Sequence, residues 1–239
     1  MTAATAEILV ILPTFNEKDN LERVVGAVRR LGYDVLVVDD NSPDGTGEIA
    51  DRLATADPHV SVLHRTGKLG LGSAYVEAFR IGLERGYGFL VEMDADGSHR
   101  IEHLAEIIAA ARTNGGLGLG SRYVSGGAVT GGWGAPRKFL SWGANVYCRA
   151  LLNLNIHDCT SGYRCFTREL LEAIGLDRVI SDGYSFQIEM VYLTTLKGYR
   201  VTEVPILFED RIAGASKVTR GEIVSDFLSV VRLRLRHGR

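Results

Sequence analysis

Cysteine is scarce: 239 residues contain three, Cys148, Cys159 and Cys165. They form no close-spaced metal pattern, and an odd number argues against a disulfide framework, so a reducing cytosol is the expected compartment. Excess positive charge is missing as well, since 27 basic and 29 acidic residues leave a formal net charge of −2. Without a general attraction to polyanions, nucleic acid is not an expected partner, and any basic site must be local. No stretch approaches the roughly 18 uninterrupted apolar residues of a spanning helix. The start, "MTAATAEILVILPTF", has no basic region ahead of its apolar run. Neither a membrane span nor a secretory leader is expected. The chain has no internal repeat and no clear domain boundary either.

What the sequence does have is alternation. Apolar runs "EILVILP" (7–13), "DVLVVDD" (34–40), "VSVLH" (60–64) and "GFLVEMD" (88–94) read as buried strands. Between them, apolar residues recur at helical spacing, as in Leu21, Val24, Val25, Val28 and Leu31, with Asn16 as a candidate cap. Ile101, Leu104, Ala105 and Ile108 mark a further helix. Continuous rather than alternating apolar strands, each followed by a helix, predict an α/β fold with a mostly parallel sheet covered on both faces. In such sheets ligands bind at the carboxyl ends of the strands. Those ends read "PTFNE", "VDDNSPD" and "MDADGS", so acidic groups converge on one edge.

The second half is less regular. A Gly-rich connection spans 120–138, helices are expected over 138–154 and around "GYSFQIEMVYLTTLKG", and a late strand over 201–211. The last residues join an apolar stripe to Arg232, Arg234, Arg236 and Arg239, although "RLRLR" also alternates as a strand would.

Asp94 and Asp96, one residue apart after a buried strand, suit a hard divalent cation, with Ser98 as an additional oxygen donor. An ordinary acidic turn is the alternative. Of Asp39 and Asp40, one is expected to cap the "NSPDG" turn and the other to meet a ribose hydroxyl or a base. Glu17 either accepts from the same nucleoside or is an acid favoured by the helix dipole. His99 and His103 read as surface or capping residues.

The pieces "ILPTFNE", "VVDDNSPDGT", "KLGLGSAY", "MDADGSH", "GSRY", "DCTSGYRCF", "GYSFQIEM", "VPILFEDR" and "GASK" occur in this order. In that order they resemble the family 2 glycosyltransferases of the GT-A fold, and among them the dolichol-phosphate or polyprenol-phosphate mannosyltransferases. The resemblance runs from about Ile8 to Lys217. It implies inverting transfer of mannose from GDP-mannose to a polyprenyl phosphate, with Mg²⁺ or Mn²⁺. Pro13, Phe15, Glu17 and Asp40 would line the nucleoside, and Asp94 and Asp96 would hold the metal against the diphosphate, with Ala95 between them. Ser98 stands at the third metal position, where a water can intervene.

A phosphate monoester acceptor, with its second pKa about 6, is mostly dianionic at neutral pH and needs no general base. It needs cations instead. By resemblance, Arg122, Arg137 and Ser141 would bind the lipid phosphate, while Arg211 and Lys217 would contact the diphosphate. Asp182 stands where many relatives have Lys, which shifts that work to Arg211 or Lys217 or implies a different donor. Asp158, Gln187 and Glu189 either orient the sugar and arginines or simply pack. The expected layout is a catalytic domain over 1–217, with a nucleotide and metal half to about 120, and a basic amphipathic tail over 218–239.

Because a polyprenyl tail stays in the bilayer, a membrane surface is an expected partner. Phe139, Leu140, Trp142, Val146 and Tyr147 read as an interfacial helix, and Phe227, Leu228 and Val231 as a second stripe. For both, packing on the domain core is the alternative. A separate anchoring protein and a peripheral place on the cytoplasmic face are expected. The nearest alternatives are a UDP-glucose-dependent polyprenyl-phosphate glucosyltransferase and a non-catalytic nucleotide-sugar-binding module. A nucleotidyltransferase is disfavoured because no Gly-rich basic loop follows the first strand.

Overall fold

The computed structural model describes residues 7–132, 134–209 and 220–237, and leaves aside the side chains of Tyr184 and 220–227. The first half alternates as expected: β1 (Ile8–Thr14), α1 (Leu21–Arg30), β2 (Asp34–Asp39), α2 (Thr46–Ala56), β3 (Val60–His64), α3 (Leu71–Glu84) and β4 (Phe89–Glu92). A 3-10 turn (Ile101–His103) leads into α4 (Leu104–Asn114) and β5 (Leu117–Ser121). Then come β6 (Ala128–Val129), α5 (Ala135–Leu152), β7 (Arg164–Thr167), α6 (Arg168–Ile174), α7 (Gly183–Leu196), β8 (Val201–Pro205), β9 (Leu207–Phe208) and α8 (Arg220–His237).

Seven strands form one sheet in the order β3-β2-β1-β4-β7-β5-β8, and β6 pairs with β9 beside it. The apolar runs are continuous because both sheet faces are covered. Along β1, Leu9 and Ile11 enter one core with α3, α6 and α7, while Ile8, Val10 and Leu12 enter the other with α1 and α4. Each fully buried aliphatic side chain contributes about 1.5–3 kcal/mol, so β1 alone anchors both layers.

Among the described strands of this sheet only β7 runs against its neighbours, pairing antiparallel with β4 and β5. This reversal places the start of β7, and the loop before it, at the edge where the parallel strands end. The register sets Arg164 opposite Glu92, deep in the sheet.

Some expectations need correction. Asn16 does not cap α1: it is left-handed (φ 58°) and its N–H donates to Ser42 Oγ, while the helix starts at Leu21 after Asn20. The late strand is interrupted at Ile206, between β8 and β9, because Ile206 turns into the core and its N–H goes to Ser121 O. The terminal "RLRLR" is helical. Val230 and Leu233, three apart, are buried in the core with α5 and α7, and an alternating strand could not place both there. No helix among the described residues is long and apolar enough to cross a membrane.

Candidate active site

The carboxyl end of β1 delivers Thr14, half-buried Pro13 and Phe15, and Glu17. The Glu17 N–H donates to Thr46 Oγ1 at 2.9 Å, and its carboxylate accepts from Asn20 Nδ2 at 3.0 Å. At the end of β2 the two aspartates divide their work. Asp39 accepts from Thr14 Oγ1, from the Ser42 N–H and from Ser42 Oγ at 2.6 Å, so it is the turn cap. Asp40 accepts from Arg65 Nη1 at 2.7 Å. Burial raises the Asp40 carboxyl above its ordinary pKa, with Arg65 and the Leu69 N–H opposing.

Arg65, which the sequence reading overlooked, has a side chain only 3% exposed. It also donates to Gly70 O and Ser73 Oγ. Nearby, the Lys68 ammonium lies 5.5 Å from the centre of the Phe15 ring, so the Gly-rich loop and the β1 loop face each other.

Beyond β4 the chain turns through Asp94, Ala95, Asp96, Gly97 (φ 80°) and Ser98. The Asp94 side chain is 39% exposed, whereas Asp96 is buried and its Oδ1 accepts the Ser98 N–H at 3.0 Å. Ser98 is fully buried and its Oγ has no hydrogen-bond partner among the described residues. Two carboxylates and an orphaned hydroxyl form a set of hard oxygen donors, which fits a divalent cation that completes its shell with phosphate oxygens and water. Among the described residues no three His, Cys, Asp or Glu cluster as a metal site by themselves.

His99 corrects the surface expectation. It is buried, stacked on Tyr163 at 4.6 Å, and its Nδ1 accepts the Asp94 N–H at 3.0 Å. Burial pushes its pKa down to about 4, against the pull of Asp96, with Arg122 lowering it and Asp158 raising it. It is a neutral acceptor that fixes the backbone of the acidic turn. His103 does the same for β9, accepting the Leu207 N–H.

On the other side of this turn, Arg122 follows β5. Asp158 holds it with both oxygens, Thr160 accepts from Nη2, and the rings of Tyr123 and Phe208 lie 5.4 Å from the guanidinium. The Tyr123 hydroxyl donates to Ser141 Oγ at 2.7 Å, which ties this loop to α5. Asn145 on α5 accepts the Cys159 N–H. Arg137 is exposed in the first turn of α5. Arg211 and Lys217 lie outside the described residues.

Beneath the site, fully buried Arg164 donates to Ser161 O, Gln187 O and Cys159 O, which fixes the loop before β7. Burial pushes the facing Glu92 carboxyl up to about 7, opposed by Arg164 and the amide of Gln187. The loop comes so close that a Cβ added at Gly162 would sit 3.5 Å from Gln187 Nε2 and 3.8 Å from Asp94 Oδ1. Gln187, Asp94 and His99 thus meet around Gly162.

Residues 9–175 match the model of glycosyl transferase family 2. The chain belongs to that family. This family 2 enzyme is 48% identical over 235 residues to a polyprenol monophosphomannose synthase of Mycolicibacterium smegmatis, covering 97% of this chain and 88% of the relative. It is also 48% identical to an undecaprenyl-phosphate mannosyltransferase of Micrococcus luteus, covering 94% and 93%. Among solved structures it is similar to a mannosyltransferase of Pyrobaculum calidifontis in complex with GDP-Man and Mn²⁺, with a TM-score of 0.59 and 21% identity. That match covers 98% of this chain and 65% of the other. GalNAc-T7 with UDP, GalNAc and Mn²⁺ aligns with a TM-score of 0.64 at 15% identity, covering 96% of this chain and 48% of the other. These likenesses establish the shared fold, GT-A.

Proposed function

We propose that this enzyme transfers mannose, with inversion, from GDP-mannose to a polyprenyl phosphate, using Mg²⁺ or Mn²⁺. The names of the two 48% identical relatives support the product class. The observation that carries the reading is that the acidic turn of Asp94 and Asp96, through His99, and the Arg122 guanidinium pack on the same Phe208 ring, at 5.7 Å and 5.4 Å, with the Asp40–Arg65 pair on the same sheet edge.

Pro13, Phe15, Glu17 and Asp40 line the nucleoside in this reading, with Arg65 setting the direction of the Asp40 carboxylate. Asp94, Asp96 and Ser98 hold the cation, with Ala95 beneath the donor. When bound, the cation offsets negative charge on the departing diphosphate. Arg122, oriented by Asp158, together with Arg137 and Ser141, holds the acceptor phosphate in line with the sugar, and Arg suits this because its planar fork pairs with two phosphate oxygens. The dianionic acceptor attacks without a side-chain base. Neutral His99 agrees with that assignment. Arg211 and Lys217 contact the diphosphate.

The lipid acceptor implies a membrane surface. On α5, Phe139 is 71% and Trp142 52% exposed, and Leu140 and Val146 join them beside Arg137. Tyr147 instead packs partly on the core, which leaves it outside this stripe. On α8, Leu228 and Val231 of the expected stripe are exposed, joined by Leu235, among Arg232, Arg234 and Arg236, whereas the Phe227 side chain and Arg239 lie outside the described residues. Both stripes suit an interfacial position on anionic headgroups. We place the enzyme peripherally on the cytoplasmic face, held by a separate membrane protein, with a nucleotide and metal half to about residue 120 and an acceptor half beyond it.

The test is transfer of labelled mannose from GDP-mannose to a short polyprenyl phosphate in detergent. It is run with Mn²⁺, with chelator and with Asp96→Ala. Metal-dependent lipid product that vanishes in the variant is the expected result. Product from UDP-glucose but none from GDP-mannose would overturn the donor, and silence with both would favour a binding module.

A further inference from the structure

Asp182 joins two helices that lie far apart in the chain. It is the residue ahead of α7, and its Oδ1 accepts the Gly183 N–H at 2.7 Å, capping that helix. The same oxygen accepts the N–H of Gly72, in the first turn of α3, also at 2.7 Å. A Cβ placed on Gly70 would lie 1.6 Å from Asp182 Oδ2, so the carboxylate occupies space that only glycine leaves open. Gly70 has φ 101°, which other residues rarely adopt.

The segment carrying Asp182 is itself secured from within. Glu189 is fully buried, and its Oε2 accepts the N–H groups of Ile180 (3.1 Å) and Ser181 (2.8 Å). Beyond the close approach of Ser181 and Phe186 to Gly72, this segment and α3 separate around a cavity of about 430 Å³ bordered by Arg65, Ser73 and Glu77. Tyr75 stacks on Phe186 with ring centres 5.8 Å apart, and one turn earlier the Asp182 carboxylate fixes the first residues of α3 through the Gly72 N–H.

What the start of α3 controls is the Gly-rich loop before it. Arg65 donates to Gly70 O and Ser73 Oγ as well as to Asp40, the Leu69 N–H reaches Asp40, and Lys68 faces Phe15. A shift of Gly70–Gly72 is therefore transmitted to the Asp40 carboxylate and to the Lys68–Phe15 contact. We infer that Asp182 is a positioning residue for the nucleotide end of the donor, holding this loop in its receptive shape. The inference rests on the nucleotide-sugar reading above. Asp182 need not touch the donor.

The test is calorimetric titration of the full chain with GDP in the presence of Mn²⁺, together with KM values for GDP-mannose and for a polyprenyl phosphate. Asp182→Ala is expected to weaken GDP binding about tenfold, as the loss of charge-assisted hydrogen bonds to two backbone N–H groups implies. KM for GDP-mannose rises in parallel, while KM for the lipid stays within about twofold. Asp182→Asn keeps a side-chain oxygen acceptor and is expected to restore most of the affinity. If Asp182→Ala does not fold, Asp182→Glu, which displaces the carboxylate by one methylene, is expected to show a smaller loss in the same direction. Unchanged GDP affinity in a folded Ala or Glu variant, even with a lower melting temperature, would overturn the inference alone. A wild-type chain that binds neither GDP nor UDP would overturn the donor reading and this inference with it.

Discussion

Asp158 grips Arg122 from two directions: Oδ2 accepts from Nε and from the Arg122 backbone N–H, and Oδ1 accepts from Nη2 at 2.7 Å. The Asp158 side chain has no exposed surface. Burial alone would raise this carboxyl, but the guanidinium and its hydrogen bonds outweigh burial and hold the pKa below its ordinary 3.8. A depressed folded-state pKa means stabilisation that is complete above the unfolded value and lost as pH falls through the folded one. Asp158→Asn is therefore expected to be less stable than wild type near neutral pH, by about 3–5 kcal/mol as for other broken buried pairs. The two urea midpoints should converge as the pH is lowered from about 4 toward about 2. A gap that stays constant over that range would show that the ion pair does not carry the difference.

The acidic turn makes a second prediction, read by Mn²⁺ binding in electron paramagnetic resonance. Asp96→Ala is expected to weaken binding at least about a hundredfold. Ser98 Oγ is buried without a partner among the described residues, so removing it relieves an unsatisfied polar group instead of breaking a contact there. Ser98→Ala should weaken Mn²⁺ by about tenfold and leave the melting temperature unchanged or slightly higher. Unaltered Mn²⁺ affinity in that variant would place a water, not Ser98, on the ion.

Phe139 and Trp142 lie on the solvent side of α5 with ring centres 5.9 Å apart. Because both are more than half exposed, replacing them with Ser should change stability by no more than about 0.5 kcal/mol each. Sedimentation with anionic vesicles should nevertheless drop by about tenfold or more for the double variant, reflecting lost interfacial insertion. Equal sedimentation of variant and wild type would remove α5 from the membrane contact.

All three thiols are buried, and burial pushes Cys159 up to about 12 and raises Cys165 further. Thiolate is the reactive form, so a disulfide reagent should find no reactive group in the native chain at neutral pH and all three after denaturation. Rapid native labelling would mean that the layers around α5 and β7 open readily.

Gly118 tests the packing of α4 on β5. A Cβ there would meet Ile107 O at 2.0 Å and Ala111 N at 3.0 Å, both backbone atoms of a helix that cannot step aside. Gly118→Ala should cost about 1–3 kcal/mol or more in denaturant titration. A near-neutral effect would show that α4 has room to retreat.

The same glycine explains why half of the sheet was harder to recognise. β1 and β2 are legible because strands buried on both faces must be largely apolar, and Leu9 through Leu12 satisfy that literally, while β3 at the sheet edge and β4 keep enough of the same run to be recognised. β5 reads "LGLGS" because a helix backbone lies against it, and that demand for closeness selects glycine over the apolar residues that mark a strand. β7, "RCFT", is short and opens on a charge, because Arg164 serves the loop before it as well as the sheet. Asp94, Asp96 and the Asp39–Asp40 pair stand out by position, at the ends of apolar runs, but position does not say which of the pair is the turn cap. Arg65 does not stand out, since a single arginine in a Gly-rich loop resembles any solvated charge until Asp40 is seen against it.

Local order along the chain, set by periodicity and by residues that end strands, determined the α/β class and the acidic edge. The tertiary structure decided which way β7 runs, and with it that Gln187 meets Asp94 and His99 around Gly162. It also decided that His99 lies inside and that α8 packs on the core through Val230 and Leu233. The physical reason is range: a strand's burial is written in its own residues, whereas direction, pairing partner and the contacts of a loop depend on surfaces supplied by segments far away.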